Sequence, residues 1–153
     1  MIGSGITTAY LWDAIEELKE RNIKARLVNI TAPGMLGKEF AQTIENDKPC
    51  FCLYNGHPDF LSSIVSQAIV QNPYGRPSMI KGHGFTMGNS GTIEELKTHF
   101  GYDRASIVRE VSEMCHEHKM REKLKQYQVK QSKNKMSSMI VTQKIIDQSK
   151  KTK

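Results

Sequence analysis

The sequence predicts a three-layer α/β/α sandwich built on a parallel sheet of four to five strands, followed by a basic tail that is helical or disordered. Three observations carry that expectation. Strand-like and helix-like patterns alternate from Ile2 to Lys81 at the spacing of parallel crossovers. Cys50-Phe51-Cys52-Leu53-Tyr54 is almost wholly apolar, as a strand covered on both faces should be. The stretch Gly82–Asp103 then reads as a glycine-broken loop, a short helix, a tight glycine turn and the start of a second helix.

The first strand is Met1-Ile2, which runs into the turn Gly3-Ser4-Gly5. Ser4 or Thr7 is expected to cap a helix reaching about Arg21, with Ala9 or Tyr10, Ala14, Ile15 and Leu18 on its inner face and Trp12 beside it. Ala25–Ile30 is the second strand. Ala32-Pro33-Gly34 breaks it, and residues 37–44 allow one or two helical turns. The third strand is Cys50–Tyr54. Pro58 suits the first turn of the following helix, whose apolar positions are Phe60, Leu61, Ile64, Val65, Ala68 and Ile69. Pro77–Lys81 is the fourth strand, feeding the loop that holds His83. Thr92 and Glu95 have capping-box spacing, Gly101 stands where a helix stops, and Asp103 can cap the last helix with Ile107, Val108, Val111 and Met114 inward.

This final unit resembles the C-terminal domain of transketolase and related thiamine-diphosphate enzymes. The matching residues are Gly88, Ser90 and Gly91 in the loop, Glu95-Leu96 and Phe100-Gly101-Tyr102 in the short helix and its turn, and Ile107 with Val111 beyond. The resemblance covers roughly Ile2–Glu117. It implies that one edge strand can run antiparallel. It also implies a full first strand where only Met1-Ile2 stand, so the chain is expected to begin inside that strand, as a fragment of a longer enzyme or a frame missing its upstream part. The family often ends its third strand with a Glu, where Asn55 stands in this chain.

Charge separates the chain into two parts. Residues 119–153 hold 11 Lys/Arg against 2 acids, a net +9, whereas residues 1–118 hold 11 against 14, a net −3. The expected domains are therefore 1–118 and a Lys-rich tail, 119–153. The folded part is mildly acidic, so nucleic-acid binding by it is not expected. The Lys-rich tail could meet RNA, an acidic membrane or an acidic partner, or serve only as a solvated tail, and it has one aromatic residue, Tyr127, for stacking. Of the three cysteines, Cys50 and Cys52 are expected on opposite faces of one strand and unpaired. No apolar run approaches the ~18 residues of a spanning helix and no signal-peptide pattern precedes the first element, so a cytoplasmic setting without a membrane partner is expected.

The residues with chemistry gather at strand ends. Gly3, Ser4 and Gly5 could bind an anion through open amides at a helix start, or form a tight turn only. His57 and His83 both follow a strand's carboxyl end, the edge where open α/β sheets place ligands. With Asn89, Ser90 and Thr92 they make the candidate anion site; a structural role for each is the competing reading. No metal site is expected, since Cys115-His116-Glu117-His118 diverges around its helix. No catalytic residue is assigned, and whether the assembly acts as an enzyme is left to the resemblance.

That resemblance implies a non-catalytic assembly or regulatory domain, in a homodimer with cofactor-binding domains of the same or another chain. The full enzyme would move a two-carbon ketol unit between sugar phosphates, using thiamine diphosphate and Mg2+ held elsewhere, with no cofactor on this chain. The alternative expectation is a stand-alone binder of a small anionic or phosphorylated metabolite at the carboxyl edge of the sheet.

Overall fold

The computed structural model describes residues 1–72, 75–85, 88 and 90–151, with side chains through residue 133. The chain divides into two compact units, Met1–His118 and Lys119–Lys153. The first unit is an α/β body. Its strands are β1 (Ile2–Gly3), β2 (Val28–Asn29), β3 (Pro49–Leu53) and β4 (Met79–His83), interleaved with α1 (Ile6–Glu20), a 3-10 turn at Pro33–Met35, α2 (Lys38–Thr43), α3 (Pro58–Val70) and α4 (Ile93–His99). The last helix, α5 (Arg104–Lys151), begins in the body. The four strands form one sheet in the order β2-β1-β3-β4, and every pairing is parallel. The antiparallel edge that the resemblance allows is not among the described strands.

Helices cover both faces of the sheet, and β3 shows why its sequence is apolar throughout. Phe51 and Leu53 pack with Leu11, Ala14 and Leu18 of α1 and with Ile107, Val108, Val111 and Met114 of α5. Cys50 and Cys52 face the other way, with Ile2 and Ile30 against Leu61, Val65 and Ile69 of α3. The two cysteines therefore share a face, contrary to the sequence expectation. Residues two apart on a strand point the same way. The hydrogen bond between the pair and their burial push the Cys52 thiol up, so it stays protonated as a small core group.

Several boundaries shift from expectation for local reasons. The second strand shrinks to two residues, because only Val28 and Asn29 pair with β1. Gly5, not Ser4 or Thr7, occupies the position before α1, at φ 62°. Trp12 turns outward and is 67% exposed. The fourth strand runs on to His83, so that residue lies in the sheet and not in the loop after it. The sequence of 92–103 behaves as read. Thr92 and Glu95 form a complete capping box. Gly101, at φ 70°, closes α4 by a Schellman pattern: Tyr102 N donates to Lys97 O and Gly101 N to Thr98 O. Asp103 Oδ1 accepts from Ser106 N at 3.0 Å and opens α5.

Candidate functional site

Strand order places the site. The chain goes from β1 outward to β2, then returns past β1 to β3, so the direction of travel reverses between β1 and β3. Loops leaving the carboxyl ends of those two strands flank the switch point, the crevice position at which open parallel sheets hold ligands. Here the loops are Ser4-Gly5 and Tyr54–His57.

Thr7 ties the two loops together. Its side chain is fully buried. The hydroxyl accepts from Ser4 N at 3.0 Å and can donate to Leu53 O at 2.8 Å or Ser4 O at 2.9 Å. One side chain thus joins the first helix turn to the end of the central strand. Tyr102 performs the same task from the helical layer. Its hydroxyl donates to Tyr54 O at 2.7 Å. Burial pushes the phenol up to about 12, against the lowering effect of Gly56. The β3–α3 loop also meets the β4 loop, as Phe85 N donates to Gly56 O at 2.8 Å.

The residues singled out from the sequence are distributed among different tasks. Gly3 lies under α1, where an added Cβ would sit 3.0 Å from the Thr8 backbone and the Leu11 side chain. Ser4 and Gly5 remain at the crevice. His57 sits before α3, its Nδ1 accepting from Asp59 N at 3.3 Å in an exposed position. His83 points away from the crevice, into the layer formed by α1 and α5. Its Nε2 donates to Phe100 O at 2.7 Å, which fixes the proton on that nitrogen because a carbonyl only accepts. Its Nδ1 lies 3.4 Å from Glu110 Oε1, while Lys81 Nζ lies 2.8 Å from Glu110 Oε2. Burial raises the Glu110 carboxyl, but the Lys81 hydrogen bond and the His83 and Lys81 charges outweigh it and hold the group below the ordinary range. Thr92 spends its side chain and amide on Glu95. Ser90 is exposed. Asn89 lies outside the described residues. The structure therefore brings Ser4, Gly5 and the His57 loop to one crevice and assigns His83 and Thr92 to internal bonds.

Sequence reasoning missed Thr7 and Tyr102 as the ties of this rim. Tyr102 had a signal, since it follows the Phe100-Gly101 turn directly. Thr7 had none beyond lying in the first turn of a helix, because its main partner, Leu53, is far away in sequence.

The rim is also apolar. Met35 is 84% exposed, Ile6 53%, Phe60 45% and Ile93 69%. Each belongs to the connection leaving a different strand's carboxyl end, and strand order ranks them Met35, Ile6, Phe60, Ile93. Tyr54 stacks on Phe60 with ring centroids 4.7 Å apart. Among the described residues no group of three or more His, Cys, Asp or Glu side chains is placed to hold a metal ion, and no helix is long and apolar enough to cross a membrane. No family model, no curated protein and no solved structure matches the chain.

Proposed function

We propose that the chain is a non-catalytic assembly domain of a transketolase-like thiamine-diphosphate enzyme, docking its carboxyl rim on cofactor-binding domains of the same or another chain within a homodimer. The full enzyme would transfer a two-carbon ketol unit between sugar phosphates. The observation that carries this reading is the row of exposed apolar residues Met35, Ile6, Phe60 and Ile93, one from each strand-to-helix connection. Large apolar side chains exposed from successive connections at one edge of a sheet offer a surface for another domain to cover. The polar groups beside it support the same reading, because Thr7, Tyr102, His83 and Thr92 are each committed to bonds that hold the rim in shape.

The test is co-elution. The purified chain is mixed with the two cofactor-binding domains of a transketolase-type enzyme from the same genome, expressed without their own C-terminal domain. The expected result is a complex that transfers ketol units, and its loss in the Phe60→Glu chain. Turnover of a ketose phosphate by this chain alone would overturn the proposal.

A second reading, capture of a small phosphorylated metabolite in the crevice, draws on one observation. Helix α1 starts at Gly5 without a side-chain cap, and of its first amides Thr8 N donates to Gly5 O at 3.1 Å. A melting temperature that climbs with the logarithm of phosphate concentration would favour it. The assembly reading expects a flat response.

A further inference from the structure

We propose that the helical segment from Lys119 to Lys133 lies on anionic lipid surfaces, apolar side down. The segment belongs to the second unit of the chain and is helical throughout. Met120, Leu124 and Tyr127 are 47%, 59% and 61% exposed, so three large apolar side chains stand in water. At about 100° per residue they fall within about 60° of one another and form one stripe.

The charges are ordered around that stripe. Lys119, Lys123 and Lys130 follow one flank, and Arg121 and Lys125 follow the other. Glu122, the only acid between 119 and 133, lies on the side opposite the stripe, and Lys125 pairs with it at 2.8 Å. Six cations against one acid give the segment a net +5. Five of the six cations flank the stripe, and Lys133 lies with the acid at the far side, an order that suits a flat anionic surface. The lysine stems can lie along the apolar boundary while their ammonium groups reach the headgroups. Tyr127 adds an apolar ring with a polar tip, which suits the same boundary.

Other anionic partners fit this order less well. An RNA strand needs cations and stacking rings on one face, whereas the only ring between 119 and 133 lies in the apolar stripe. An acidic protein groove would enclose the helix and bring Glu122 against its walls. The inference departs from the sequence expectation of no membrane partner. That expectation rests on spans, and a helix lying among headgroups needs none.

Vesicle flotation of the intact chain tests the proposal. One set of vesicles is phosphatidylcholine alone, and the other adds phosphatidylserine. The chain is expected to float with the second set only, and to release as salt is raised, since each cation strengthens binding to an anionic surface by about fivefold. Leu124→Ser should weaken binding by about tenfold or more, the loss of one buried leucine. Val129→Ser, on the other side of the helix, should leave it within about twofold, and circular dichroism on both variants confirms that the body stays folded. Equal binding to both vesicle sets, or equal losses in the two serine variants, would overturn the inference. So would tight binding of single-stranded RNA by a chain that ignores both vesicle sets.

Discussion

Thr7 concentrates more structural consequence in one side chain than any other residue of the rim. Replacing it by valine keeps the shape and removes the hydroxyl, leaving Ser4 N and Leu53 O without that partner. The expected cost is about 1–3 kcal/mol, the desolvation penalty of buried groups left unpaired, read from a urea midpoint. Glu110 gives a prediction in pH. Its carboxyl is held below its ordinary value of 4.5 in the folded chain, first against burial and then by Lys81 and His83. A depressed carboxylate contributes stability that is fully present above its unfolded pKa and is lost as pH falls through the folded one. The melting temperature should therefore fall below pH 4.5, and Glu110→Gln should flatten that part of the profile. At this scale the sequence was a partial guide. His57 and His83 stood at strand ends as read, but two further residues of strand carried His83 into the sheet, where it meets Phe100 and Glu110. A strand end two residues later than read thus takes a loop candidate out of the site and ties it into the sheet.

At the scale of elements, the packing of α3 on β4 rests on Gly82. A Cβ there would meet Pro58 O and come within 2.6 Å of Ser62 Oγ, and the backbone oxygen cannot move as a flexible side chain could. Gly82→Ala should push α3 off the sheet and lower the thermal midpoint by several degrees, more than Gly88→Ala, where nothing stands within 4 Å. Thr92→Ala tests the neighbouring helix, with an expected cost of about 1 kcal/mol from the lost cap. Most elements were legible because their signals are local. The capping box, the Gly101 stop, Pro58 at the start of α3 and the apolar run of β3 all operate within a few residues. What was not legible depended on pairing. Ala25–Ile30 has the composition of a strand, yet only Val28 and Asn29 pair in register, because β1 offers two residues. Gly5 stands in place of a side-chain cap at α1 because the backbone there takes φ 62°, a turn the two flanking glycines allowed but did not locate.

At the scale of the body, the alternation of strands and helices was enough to foretell a layered α/β fold with a parallel sheet, since buried parallel strands and their covering helices leave different periodicities. Strand order was not, because it is decided by which apolar faces meet. The order β2-β1-β3-β4 is what gathers Met35, Ile6, Phe60 and Ile93 along one rim. The central claim is that this rim is a surface for other domains. Sedimentation velocity on a mixture of the intact chain with transketolase-type cofactor-binding domains measures it most directly. The account predicts one faster-moving complex, abolished by Phe60→Glu without loss of the chain's own melting transition. Two independent boundaries for the unmodified chain, or a complex indifferent to Phe60→Glu, would contradict it.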